Sequence, residues 1–428
     1  MIAGVSLTFI LLIILIYDFK KGIILAAMSL QFVSYLGTGF DGIKIFSIVC
    51  ACAIPLFFYK KTELSVVNYP FPLVISSIIF FISYTATLIH SHWLHYPTIF
   101  ANVVTIFIFP YIFWKCLKTS EDIMFAFNVF FYFMAFAVFW GFIELIFHNN
   151  IIFRLVESVF VLEDFTIDAS TIRYGMKRCN SFFSYFTTYG VACLMAFFLF
   201  FVKGRYGKGN AHNILFLSAC CFIAALSTGS RAIIMGLFIL LIFLVFDSRF
   251  LKSKSGVVLI LLVIILSPVV CTIIYQISDS IINSGESKYA GGSSKELRFE
   301  QWLACEQYFM QSPFLGNGRM YIWEVVKPAH PIIYGAESIW FSILVDYGLL
   351  GAFAFLFLII SCMTCLWRYN RRLICLPIGY LIVLSLSPEQ GIQYNMLITT
   401  TLLTVRFFYC KRMKETLKGL IELKHYLK

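Results

Sequence analysis

Long apolar runs and short hydrophilic breaks alternate along the whole chain. A helix rises about 1.5 Å per residue, so about 20 apolar residues cross the hydrocarbon core of a bilayer. Runs of that order occur at 2–17, 22–37, 43–59, 71–89, 98–114, 123–147, 182–202, 212–228, 231–246, 256–275, 338–360, 373–387 and 396–410. They predict an all-α fold, a polytopic bundle of about 12–13 transmembrane helices that forms a single integral membrane domain over 1–428. The opening run, Met1 to Tyr17, lacks a basic leader and a small-residue cleavage site, so it is expected to stay as a helix.

The polar breaks differ by side. Alternate ones carry Lys20 and Lys21, Lys60 and Lys61, Lys115 and Lys118, Lys203, Arg205 and Lys208, Arg249, Lys252 and Lys254, and Arg368, Arg371 and Arg372. The tail 411–428 adds Lys411, Arg412, Lys414, Lys418, Lys424 and Lys428. The opposite short breaks, 38–42, 90–97 and 388–395, carry no lysine or arginine. Basic loops stay on the cytoplasmic side. This places the C-terminus in the cytoplasm, with 411–428 as a basic tail on the inner membrane surface. Thirteen spans would put the N-terminus outside.

Two breaks on the outer side are long: 148–181 and 276–337. Long loops in a compact protein tend to carry function. These two also hold the exceptions to the charge pattern: Arg154, Arg173, Lys177 and Arg178 in the first, Lys288, Lys295, Arg298, Arg319 and Lys327 in the second. Long loops cross membranes regardless of charge, which accounts for the lysines. It accounts less well for arginines beside apolar sequence.

Arg231 stands apart, because Ser227-Thr228-Gly229-Ser230-Arg231 is a polar interruption too short for a free loop. It predicts a tight turn holding a guanidinium at the outer surface. Such a group can snorkel to lipid phosphate, or face a cavity and mark a substrate path. In the second loop, the Ser293 to Glu296 spacing predicts a helix start. Arg298, Trp302, Cys305 and Phe309 then share one face of an interfacial helix, a stripe that packing alone would also produce. Residues 312–319 read as a helix stop and turn. Asp346 lies about 12 Å into the following span and must face protein or water. Residues 151–162 read as a second interfacial helix.

Composition agrees with this solvent: 60% of residues are hydrophobic, 48 are Phe, and only 13% are charged. A soluble domain could not cover so much apolar surface. The net charge of +11 sits largely in the inner loops, beside anionic lipid, and implies no nucleic acid. Of the 13 Cys, only Cys179 and Cys305 are clearly expected outside, and spacing alone does not pair them. His90, His92 and His95 lack an adjacent acid or thiol and read as interfacial histidines, not a zinc site. No metal or cofactor is expected.

Arginines at an outer membrane interface suit a diphosphate headgroup whose lipid tail stays in the bilayer. Guanidinium forks bind phosphate oxygens bidentately and remain charged. A nearby Glu or His could take a proton from an attacking hydroxyl. Trp302 and the loop tyrosines could stack on sugar faces.

The chain resembles the O-antigen polymerase family of bacterial inner membranes, within a group that also includes O-antigen ligases. The likeness rests on Leu226-Ser227-Thr228-Gly229-Ser230-Arg231-Ala232 and on the block from Arg298 to Gly351. That block includes Trp302, Ser312-Pro313-Phe314-Leu315-Gly316-Asn317-Gly318, Glu337 and Tyr347-Gly348-Leu349-Leu350-Gly351. The resemblance implies a metal-independent, inverting glycosyltransferase of the GT-C type. Donor and acceptor would be glycans on undecaprenyl diphosphate, with a chain-length regulator and a flippase as partners. Arg231 and Arg298 match the family's turn and loop arginines, and Arg178 is a looser match. Arg173, Arg319 and Trp302 complete the expected diphosphate and glycan site. Ligases place His-Asn before the span with the Gly-Leu-Leu-Gly motif, where this chain reads Ala336-Glu337-Ser338. That departure favours a polymerase and leaves two candidate bases, Glu337 first and His330 second. Glu337 could instead cap the next helix, and His330 could be a loop histidine. A flippase or transporter ranks below both enzymes, since transporters show symmetric halves and charges within their spans.

Overall fold

The computed structural model describes residues 2–29, 42–60, 64–91, 103–148, 150, 172–173, 176–183, 186–207, 211–245, 295–330, 338–387 and 393–426. The chain is an all-α, polytopic helical membrane protein. Its helices are α1 (Ile2–Tyr17), α2 (Phe19–Met28), α3 (Gly42–Tyr59), α4 (Phe71–His90) and α5 (Val104–Cys116, which opens as a π-turn). There follow α6 (Ser120–Phe147), α7 (Phe186–Tyr206), α8 (Ala211–Ser227), α9 (Arg231–Val245) and α10 (Lys295–Phe309). A π-turn Ile322–Val326 runs into the short α11 (Lys327–Ala329), and α12 (Ile339–Trp367), α13 (Cys375–Ser385) and α14 (Gln393–Tyr426) complete the bundle. Four of these, α4, α6, α7 and α12, are long and apolar enough to cross a membrane unaided.

The sequence marks the helix starts chemically. Asp18 caps α2 by accepting from Lys21 N at 3.1 Å. Thr119 and Asp122 form a capping box that opens α6, with reciprocal bonds of 3.2 and 2.7 Å. Ser338 caps α12 by accepting from Trp340 N.

The hub is α7, buried continuously from Thr187 to Lys203. A helix apolar on every face has this one stable place, surrounded by others. The α8 helix packs along it, and Ser218 Oγ donates to Phe197 O at 3.0 Å. Helices α9 and α13 cross at Gly236 and Gly379, where a Cβ on either glycine would lie 3.1 Å from the other's carbonyl oxygen. Small residues permit such close crossings inside a membrane.

Every expected run except 256–275, which lies outside the described residues, meets a helix. In the second run α2 begins at Phe19 and ends at Met28, and residues 30–37 of that run lie outside the described residues. The interfacial helix expected at 151–162 also lies outside the described residues. The last helix does not stop with its span: α14 continues through the basic tail to Tyr426, 34 residues or about 51 Å in all. Residues 172–173 and 176–177 form one short antiparallel pair, with Arg173 opposite Met176.

Candidate functional site

The turn after α8 is built by its own hydroxyls. Ser227 Oγ donates to Ala224 O and Thr228 Oγ1 to Ala225 O, while Gly229 adopts φ +60 to reverse the chain. Ser230 O then accepts from Ile234 N, and α9 begins at Arg231. Arg231 is half-buried, and its buried Nε has no hydrogen-bond partner among the described residues.

The end of the first long loop docks on this turn. Cys179 N donates to Ser227 O at 3.1 Å, and Arg178 Nε donates to Thr228 O at 3.1 Å. The Arg178 guanidinium also stacks on Phe186, 3.2 Å from the ring centroid. Glu144, 1% exposed at the end of α6, accepts from Asn180 N at 3.1 Å and Ser181 N at 2.8 Å. Ser181 takes φ +54, and its Oγ donates to Ala137 O. Asn150 bonds both Asn180 and Ser181. Two arginines far apart in sequence thus share one corner of the bundle. Glu144 and Asn150 hold that corner, and no motif in the sequence announces them.

A second cluster forms around α12. This helix breaks at Gly348 (φ +63, ψ −160), and residues 313–318 lie across the break. Leu349 N and Leu350 N, which lose helical partners there, donate to Pro313 O and Phe314 O. Asn317 N and Gly318 N donate to Val345 O and Asp346 O in return. The approach is tight, since a Cβ on Gly348 would meet the Phe314 carbonyl at 2.6 Å. Thr87 Oγ1 donates to Leu315 O at 2.7 Å, and His90 Nε2 lies 2.9 Å from Ser312 Oγ, so α4 fastens the same segment.

Arg319, Trp302 and His330 belong to this second cluster. Arg319 is half-buried and directly follows the segment. Trp302 is 44% exposed and packs on Phe341, with ring centroids 5.9 Å apart. It lines an apolar cavity of about 100 Å³ with Cys305, Phe309 and Val345. Three of the four positions of the sequence stripe therefore meet at one cavity. His330 packs edge-on to Tyr308, 5.7 Å away. Burial, with the Asp346 carboxylate second, pushes the Cys305 thiol up to about 12, so it stays protonated. Cys305 and Cys179 are both buried.

Arg298 lies in the first turn of α10 and Arg173 in the short strand pair. Glu337 lies outside the described residues. Among the described residues, no group of three or more His, Cys, Asp or Glu side chains could hold a metal ion.

Residues 214–356 match the model of a family described as O-antigen ligase. The matched stretch carries the turn with Arg231, the whole second long loop and the break in α12, while Arg173 and Arg178 precede it. No curated protein matches the chain. Over 214–356 the chain is similar to the O-antigen ligase/polymerase superfamily, whose members transfer glycans, a likeness shared by polymerase and ligase alike.

Proposed function

We propose that this protein polymerises oligosaccharide repeat units, carried on undecaprenyl diphosphate, into O-antigen or a related surface polysaccharide. The reaction takes place at the periplasmic face of the bacterial inner membrane, with the C-terminus in the cytoplasm. The single observation that supports this reading most is the hydrogen bond from Arg178 to the turn ending in Arg231. It brings Arg178 onto the backbone of the turn that ends in Arg231, an arrangement that suits an anionic diphosphate.

In this reading Arg231 and Arg178, with Arg298, Arg173 and Arg319, hold the donor diphosphate. The acceptor sugar hydroxyl attacks the donor's anomeric carbon from the opposite face, with inversion. Glu337 or His330 takes the hydroxyl proton. The C–O bond to undecaprenyl diphosphate breaks, and the arginines stabilise the departing negative charge. The chemistry is metal-independent and of the GT-C type. A chain-length regulator and a flippase are the expected protein partners.

The description of the matched family favours a second reading, an O-antigen ligase that transfers glycan to lipid A core. A strain lacking the gene separates the readings. Loss of a polymerase leaves single repeat units on the core. Loss of a ligase leaves the core bare. Loss of a flippase leaves repeat units on the inner leaflet.

A further inference from the structure

One residue grips the chain on both sides of Arg319. Gly318 N donates to the Asp346 carbonyl at 3.1 Å, and Met320 N donates to Asp346 Oδ2 at 2.9 Å. Ile322 N takes the other carboxylate oxygen, Oδ1, at 3.0 Å. The backbone flanking Arg319 needs such a grip. Gly318 has φ +120 and Met320 has φ +60. A methionine seldom adopts that conformation, and it persists only where the surroundings impose it.

The segment up to Gly318 is already tied to α12 by main-chain bonds: Asn317 N to Val345 O, Leu349 N to Pro313 O and Leu350 N to Phe314 O. Asn317 Nδ2 adds bonds to Tyr308 O and Val345 O. Among the described residues, the Asp346 carboxylate oxygens bond the chain beyond Arg319, where it leaves the break and enters the π-turn. An ionisable group 4% exposed in a span is costly unless it does something no neutral residue can. Two amide donors on one carboxylate fix direction as well as distance.

We infer that Asp346 is a positioning residue, which sets the Arg319 guanidinium for a polyprenyl diphosphate at the outer membrane surface. This rests on the diphosphate reading above. The Asp346→Asn variant keeps the volume but turns an amide N–H toward backbone N–H groups.

The test is binding of undecaprenyl diphosphate, without sugar, to the full-length protein in nanodiscs. We expect Asp346→Asn to bind about tenfold more weakly. Adding Met320→Gly, which makes the positive φ easy, should recover most of that loss. In an Arg319→Ala background, Asp346→Asn should change binding less than about twofold, since Arg319 is then absent. If Asp346→Asn does not accumulate in the membrane, Asp346→Glu is the second variant, with an intermediate loss expected. Wild-type affinity in either Asp346 variant overturns the inference and leaves the polymerase reading standing. An equal loss with and without Arg319 also overturns it, because Asp346 would then act on the fold at large. Failure of the wild type to bind the probe overturns both readings.

Discussion

The Glu144 carboxylate, buried at the end of α6, accepts the Ser181 amide at 2.8 Å and the neighbouring Asn180 amide at 3.1 Å. Arg178, two residues back from Asn180, reaches Thr228 O from this fixed base. Glu144→Ala would strand the buried Ser181 N–H and the partly buried Asn180 N–H and is expected to cost about 3 kcal/mol. Glu144→Gln keeps an acceptor oxygen and should cost about 1 kcal/mol. Thermal unfolding in detergent measures both, and chain growth should fall in the same order. Equal stability of the two variants would show that the carboxylate does not hold the loop.

Arg231→Ala should behave differently. Among the described residues the Nε of Arg231 makes no hydrogen bond, so the fold is expected to lose little when it goes. We expect normal protein in the membrane and at least a ~100-fold loss of chain growth, the scale of removing one charge-stabilising donor from a reacting site. Arg231→Lys should recover only part of this, because an ammonium cannot fork across two phosphate oxygens. Long glycan chains at wild-type level in the alanine strain would remove Arg231 from the site.

The spans were legible because lipid admits few other arrangements: nearly every apolar run became a helix, and α7 shows no amphipathic face because it has no exposed one. The turn at Ser227–Arg231 was also legible, since its polar residues interrupt two apolar runs. Glu144 was visible only as a charge near a span end, because its partners are backbone amides, which carry no sequence signature. The Gly348 break was hidden within an unbroken apolar run. The structure uses Gly348 to admit residues 313–318. Arg406 sits inside the last run with no neighbouring motif to single it out.

Gly348→Ala should be among the most damaging small substitutions in the chain. The added Cβ would meet the Phe314 carbonyl at 2.6 Å, and φ +63 with ψ −160 suits only glycine. Strain of this kind costs about 1–3 kcal/mol before any clash is counted. Because residues 313–318 must then move, Arg319 and its neighbours should lose their place together. The expected result is reduced abundance in the membrane and lost chain growth in whatever protein remains. Wild-type abundance and activity would show that the break is not required.

Arg406 offers the opposite separation, stability without chemistry. It is 1% exposed in α14, bonds Ser65 Oγ through Nη2, and lies 4.4 Å from the Trp114 ring centroid. Ser65 N in turn donates to Lys115 O, and both Trp114 Nε1 and Lys115 Nζ donate to Val67 O. The arginine thus ties Ser65, and through it the segment bonded to Trp114 and Lys115, to α5. Arg406→Ala removes a hydrogen bond, a cation–π contact and much buried volume, and should cost about 3 kcal/mol. Arg406→Met retains most of the volume and should cost less. Glycan transfer per folded molecule should stay unchanged in both, measured on purified protein with lipid-linked repeat units. A variant that folds as well as wild type but transfers poorly would place Arg406 in the reaction, and the chemistry would then no longer be confined to the outer end.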